Sequence, residues 1–374
     1  MFENLSLLTL QQYWWFLISL IGALFIFTTF VQGGQTLLYK IAKNEEERDV
    51  LVASLGRKWE LAFTGLVMFG GALFAAFPLF YSVTFSGAYY VWMAILFCFI
   101  IQAVSYEYRK KPNNFLGKRT YETFLFINGS LGIILIGIVL GSLFTGGNFI
   151  KNDMNLSAWT LQTRGLEAIL NPFNVVFGMT LFFLARVQSS LYFLNNIEHA
   201  KIELQTRLQL KNDSIFFVGF FVMLSIMLLI MSGFSYNNDS FYIEEYKFLS
   251  NFLAMPIFLI LFLSGTIMVL YAIFISLFKG SKKGIWFSGF GTVFVVLSLL
   301  CILGFNNTAI YPSLSDIQSS LSIENSSGSH YSLSVMSYVS LMVPIVLGYI
   351  IVVWRAMDKT KITSEEIQAD KHHY

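Results

Sequence analysis

Four charged residues stand inside, or at the mouth of, stretches that are otherwise apolar. Glu60 heads "WELAFTGLVMFGGALFAAFPLFY", Glu107 lies in "AVSYEYRKK", Glu122 in "YETFLF" and Arg186 in "LFFLARVQSSLYF". A carboxylate in apolar surroundings can take up a proton and pass it on, and an ionisable group at membrane depth marks function by default. Each also has a plainer reading. A carboxylate in the first turn of a helix is stabilised by the helix dipole by about 0.3–1 kcal/mol, which alone would account for Glu60 and Glu122. Glu107 sits at a helix C-terminal end, where the dipole disfavours an anion, and its plainer role is a pair with Lys111 one turn on. Arg186 could reach its head group to an interface. In the body of a helix, however, a lone cation needs an acceptor. Arg186 is therefore expected to face the bundle interior and to pair with a carboxylate, either Glu60 or an acid of a partner chain.

Other chemistries find no residues here. The four histidines, His199, His330, His372 and His373, all fall in loops or in the tail. None is placed to ligate haem iron or, at helical spacing, a metal. The 13 methionines of so apolar a chain read as core filler. Cys98 and Cys301 both lie in apolar segments, which makes a disulfide framework unexpected. There is no phosphate-cradling glycine loop, no Gly-x-Ser-x-Gly and no Cys-x-x-Cys. Nothing suggests nucleic acid. The glycines of "FGGALF" read as close helix packing. On the residues alone, the chain is a transport or scaffold-like membrane subunit without a redox centre of its own.

The elements that carry these residues follow from composition. Of 374 residues 56% are hydrophobic and only 12% charged, about half the charge of a soluble domain; mean hydropathy is +0.64. With about 20 apolar residues per crossing, nine segments emerge: 13–38, 60–83, 87–107, 121–145, 172–196, 214–234, 253–278, 285–305 and 335–355. The start, "MFENLSLLTLQQYWW", has no basic n-region, so the first segment is expected to be kept. Only "TFSG" separates the second and third, which implies a tight hairpin.

Alternate loops hold the cations. Lys40, Lys43, Arg48, Arg57 and Lys58; Arg109, Lys110, Lys111, Lys118 and Arg119; Lys201, Arg207 and Lys211; Lys279, Lys282 and Lys283; and Arg355, Lys359, Lys361 and Lys371 all lie on one side. Only Lys151, Arg164 and Lys247 lie on the other. Twenty against three is a strong positive-inside signal. It puts the N-terminus outside and the C-terminus in the cytoplasm, with an odd number of helices.

The two long outer loops, 145–170 and 306–336, are rich in uncharged polar residues, the first with a short interfacial helix expected around Leu161–Leu170. Trp92, Trp159, Trp286 and Trp354 fall near expected interfaces. Asn171-Pro172 reads as the cap and first position of helix five; Pro78, Pro256 and Pro344 should kink their spans.

With these residues in view, the sequence resembles subunit II of the cytochrome bd-type quinol oxidases. "EEERDVLVASLGRKWE" (45–60), "GGALFAAFPLFYSVTFSGAYYVWMAILF" (70–97), "YEYR" (106–109), "ILNPF" (169–173) and the stretch 311–349 carry the resemblance in order along the chain. It implies an all-α polytopic membrane protein of about nine transmembrane helices, as two four-helix bundles and a peripheral helix. The corresponding divisions are 1–145 for the first bundle, 146–213 for the outer loop, fifth helix and cytoplasmic loop, 214–355 for the second bundle, and 356–374 for a cytoplasmic tail.

It further implies a heterodimer in a bacterial inner membrane with a haem-bearing subunit I that holds the b- and d-type haems and meets the quinol, with small accessory subunits as an option. This chain would ligate no haem, would support subunit I and would help to deliver cytoplasmic protons; some members hold a structural quinone. By resemblance, the family's Trp-Asp becomes Trp59-Glu60, the aspartate of its Phe-Asp-Tyr-Arg becomes Glu107, and its Trp-Asp at helix four becomes Tyr121-Glu122. The expected route is Glu107, then Glu60, with Glu122 an accessory at the inlet. The family's Asp-Gly-Phe-Asp is here "TTFV" (28–31), with both acids gone, and Arg186 has no counterpart. The residues leave two other functions open: an ion- or proton-coupled transporter, against which stand the absence of repeats and the placement of the acids near one face, and a scaffold with no proton role.

Overall fold

The computed structural model describes residues 2–111, 114–237, 240–359 and 361–363; His372, His373 and the end of the tail lie outside them. Among the described residues nine helices are long and apolar enough to cross a membrane. They are α1 (Leu7–Gln35), α2 (Glu45–Ala76), α3 (Tyr89–Tyr108), α4 (Lys118–Thr145), α5 (Pro172–Asn196), α6 (Ala200–Ile230), α7 (Pro256–Phe278), α8 (Gly284–Gly304) and α9 (His330–Met357). Each expected segment is one of them, and the fold is all-α apart from two small hairpins outside the spans.

α2 begins fifteen residues before the expected 60, and α6 begins fourteen residues before the expected 214. The first turns of α6, "AKIELQTRLQLKND", are good helix formers but polar, so hydropathy does not mark them. At 31 residues α6 is about 46 Å long, well beyond the hydrocarbon thickness. A Glu203–Arg207 pair at 2.8 Å supports the polar turns.

The caps are legible. Ser6, Asn171, His199 and Ser329 each accept the backbone N–H that opens α1, α5, α6 and α9. The prolines interrupt as expected, with one difference: Pro256 opens α7 instead of kinking it, because Lys247–Ala254 forms a separate short helix before it. The "TFSG" gap is wound as a wide helical turn, Ser82–Gly87. In the loop before α5, a one-turn 3-10 helix, Leu166–Leu170, stands where a longer helix was expected.

α5 packs against α4, α6 and the C-terminal end of α1; α1 also packs against α2 and α8, α3 against α4, and α7 against α8. α9 touches α1 and is the most exposed span. Close approach needs glycine. A Cβ on Gly33 would lie 2.2 Å from the Ala185 backbone, and one on Gly137 would lie 2.5 Å from Gly178. The close packing expected at Gly71 is not there: a Cβ on it would meet nothing within 4 Å. Cys98 and Cys301 are free and buried.

Candidate functional site

The charges gather at the end of the bundle where the basic loops lie. α1 ends in a turn and a short helix, Leu38–Ile41, that carries Tyr39. The first turns of α2, capped by Asn44, present Arg48 and Asp49. Arg109 follows α3 as its C-terminal cap, a position the dipole favours for a cation. Glu122 comes from α4.

These residues close on Glu122. Arg109 donates to Glu122 Oε1 from Nε at 3.1 Å and from Nη2 at 2.6 Å. Arg109 Nη2 also meets Asp49 Oδ1 at 2.6 Å. Arg48 Nε stands 3.4 Å from Glu122 Oε2, and the Tyr39 hydroxyl donates to the same oxygen. Lys110 completes the rim, 3.6 Å from Asp49. Burial, and then the bond to Glu122, pushes the Tyr39 phenol up to about 12; burial lowers Lys110, against the pull of Asp49. Arg109 and Glu122 are 0% and 2% exposed.

Such a cluster ties four chain segments together. Glu122 is thus the hub of this cluster, where the sequence had offered it as an accessory at the inlet. Nor does the helix dipole explain it: α4 starts at Lys118, and no acid lies in its first turn.

Glu60 and Glu107 are placed differently. Both are exposed. Glu107 meets Lys111 at 3.0 Å, the plain pairing that its position allows. The three carboxylates therefore do not share one inlet: Glu122 is turned into the ion cluster, while Glu60 and Glu107 face outward. The residues that precede them, however, are in contact. The Trp59 ring stacks on Tyr106, with centroids 5.6 Å apart and planes 14° apart, so the residue after each ring is the carboxylate. Glu60 stands at the end of an exposed α2 face with Phe63, Val67 and Phe74, and Glu107 at the end of an exposed α3 face with Phe97, Ile100 and Val104.

Arg186 faces inward and has a carboxylate within the chain, Asp213 of α6, and not Glu60. Its Nε donates to Asp213 Oδ1 at 3.0 Å and its Nη1 to Thr36 Oγ1 at 2.9 Å. Asp213 was missed because α6 was expected to start one residue after it; Gln209, one turn earlier and bonded to it at 3.1 Å, was the available sign that the helix continues. A further pair was also missed. Lys58 is buried, 3.0 Å from Asp358 beyond α9 and 4.9 Å over the Trp354 ring.

No group of three or more His, Cys, Asp or Glu among the described residues could hold a metal ion. A cavity of about 70 Å³ lies between α4, α5, α6, α7 and α8, lined by residues that include Phe144, Phe177, Leu224 and Val295. Two of its three threonines, Thr180 and Thr266, spend their hydroxyls on backbone carbonyls, and Thr292 accepts from Gln188. Such a lining fits the prenyl tail of a quinone better than its ring.

Comparison with known proteins agrees over the whole chain. The family model of cytochrome bd terminal oxidase subunit II matches residues 10–357. Cytochrome bd-I ubiquinol oxidase subunit 2 of Escherichia coli (strain K12) is 25% identical over 383 residues, covering 97% of this chain and 98% of that one. Cytochrome bd ubiquinol oxidase subunit 2 of Bacillus subtilis (strain 168) is 25% identical over 346 residues, 91% and 93% of the two chains. Among solved structures, the bd oxidase from Geobacillus thermodenitrificans matches with a TM-score of 0.66 at 12% identity, covering 94% of this chain and 100% of that one; that likeness speaks for the fold.

Proposed function

The chain belongs to the family of subunit II of the cytochrome bd terminal oxidases, and on that premise we propose that it supports a haem-bearing subunit I and carries protons from the cytoplasm towards it along the surface of α2 and α3. The curated relatives are subunits of bacterial ubiquinol oxidases, complexes whose reaction consumes protons when oxygen becomes water. The nine apolar helices make the protein a multi-pass membrane protein. The excess of Lys and Arg in alternate loops supports an outside N-terminus and a cytoplasmic C-terminus.

The observation that supports the reading is the stacked Trp59–Tyr106 pair, because the residues that follow the two rings, Glu60 and Glu107, end two exposed apolar faces. Carboxylates there are costly against lipid, so a protein partner that covers α2 and α3 would enclose them. Subunit I is that partner in this reading, and the haems belong to it. A proton arrives at Glu107, passes to Glu60 and leaves into subunit I. Lys111 holds Glu107 at the water side. Glu122, clamped between Arg109 and Arg48, holds α2, α3 and α4 in place and carries no proton. If a structural quinone is present, Phe144, Phe177, Leu224 and Val295 would hold its tail.

The test is Glu107→Gln and Glu60→Gln in the whole complex. Both keep shape and remove the titrating group. Quinol oxidation should slow at least several-fold while haem content stays normal. Wild-type turnover of both variants across the pH range would refute the route.

A further inference from the structure

Four amides and one phenol meet inside the first four helices, in a region with no charge. Gln32 and Gln35 come from the last turns of α1, Gln102 and Tyr106 from one face of α3, and Asn128 from α4. All five are at most 1% exposed. Gln102 lies six residues inside the end of α3, about 9 Å from it.

Three amino groups point at one oxygen. Gln32 Nε2, Gln35 Nε2 and Asn128 Nδ2 donate to Gln102 Oε1 at 3.0, 2.6 and 2.6 Å. Gln35 Nε2 also reaches the Tyr106 hydroxyl at 3.2 Å, and Asn128 Nδ2 reaches Gln35 Oε1 at 3.0 Å. This convergence strands the opposite ends of three amides. Gln32 Oε1, Asn128 Oδ1 and Gln102 Nε2 are buried and have no protein partner. An unpaired buried polar group costs about 1–3 kcal/mol, and three in one cluster would be a heavy penalty if they stayed dry.

The backbone is irregular there. α4 widens into a π-type turn over Asn128–Gly132, a local irregularity that often accompanies function. A Cβ on Gly132 would stand 3.0 Å from the orphaned Asn128 Oδ1 and 3.2 Å from Cys98 Cβ. A methyl there would press on the orphaned acceptor, so the glycine leaves that side of Asn128 Oδ1 uncovered by a side chain.

We propose that this cluster is an internal water-binding site. The orphans are two acceptors and one donor, the complement of water, which offers two protons and a lone pair. A cation is excluded by the amino groups that crowd the cluster, and an anion by the two orphaned oxygens. A buried water makes about three such bonds. The site goes beyond the proton route on α2 and α3, because its residues face inward and include neither Glu60 nor Glu107. It places a neutral, hydrated junction at the point where α1, α3 and α4 meet, one turn of α3 from Tyr106 and two from Arg109 of the ion cluster.

The experiment is a cryo-electron microscopy map of the intact complex at a resolution that shows waters, for the wild type and for Gly132→Ala. In the wild type, density is expected within hydrogen-bonding distance of Gln102 Nε2 and of Gln32 Oε1 or Asn128 Oδ1. In Gly132→Ala the added methyl should expel the water next to Asn128, with the helices and haem content unchanged. A dry wild-type cluster, or amides turned so that they satisfy one another, would overturn the proposal. So would wild-type water density that persists beside Asn128 in Gly132→Ala. Turnover of the Glu107 and Glu60 variants bears only on the surface route, so the two ideas stand or fall separately.

Discussion

Arg186 and Asp213 offer the cleanest measurement of what a buried charge does in this protein. Arg186 is 8% and Asp213 2% exposed, and the guanidinium also holds Thr36, just after the C-terminal end of α1. Arg186→Met would leave Asp213 with Gln209 alone, and Asp213→Leu would leave a cation facing Thr36 and the Phe182 ring. Stranding one partner of a buried pair costs about 3–5 kcal/mol. For a chain of this length about 2 °C accompanies each kcal/mol, so each single variant should lower the unfolding midpoint on the order of 5–10 °C. The double variant replaces the pair with packed hydrocarbon, which is commonly near neutral. It should recover most of the loss, with a coupling energy of about 2 kcal/mol or more. The assay is tryptophan fluorescence of the complex in lipid nanodiscs at one fixed scan rate, since membrane complexes unfold irreversibly. Singles that cost no more than a surface substitution, about 0.5 kcal/mol, or a double variant as unstable as the sum of the singles, would refute the assignment of this pair as a mutually dependent clamp.

Glu122→Gln should reduce the yield of assembled complex sharply, whereas Glu107→Gln should not, because an exposed pair such as Glu107–Lys111 is worth only about 0.3–0.5 kcal/mol; equal yields would contradict the hub. Asp358→Asn strips buried Lys58 of its carboxylate and should make the segment after α9 more open to protease, read by digestion and mass spectrometry; unchanged digestion would count against the clamp. Burial, and then the bond to Glu122, raises Tyr39 from 10.0 to about 12, so the bond is fully present below pH 10 and is lost as pH climbs through 12. Tyr39→Phe should therefore be less stable than wild type at neutral pH, with the difference closing in that alkaline window, measured by unfolding at stepped pH.

Hydropathy and loop charge, read from the chain alone, determined the class of this protein. Nine apolar runs became nine helices because a bilayer demands that each crossing satisfy its own backbone hydrogen bonds, and that demand is local. Asn171-Pro172 began α5 for an equally local reason, a cap and a fixed φ. The choice of partners was decided by the tertiary structure. Glu122 and Glu107 are each a lone acid near the basic end of an apolar run, yet one is buried between two arginines and the other is exposed beside Lys111. That difference depends on which way each helix is turned against its neighbours. Asp213 was hidden because a helix that outruns the membrane has no hydropathic edge at its true start. The four amides were visible as polar letters in apolar text, but that they meet, and that three of their ends meet nothing, arises only when α1, α3 and α4 are brought within hydrogen-bonding distance.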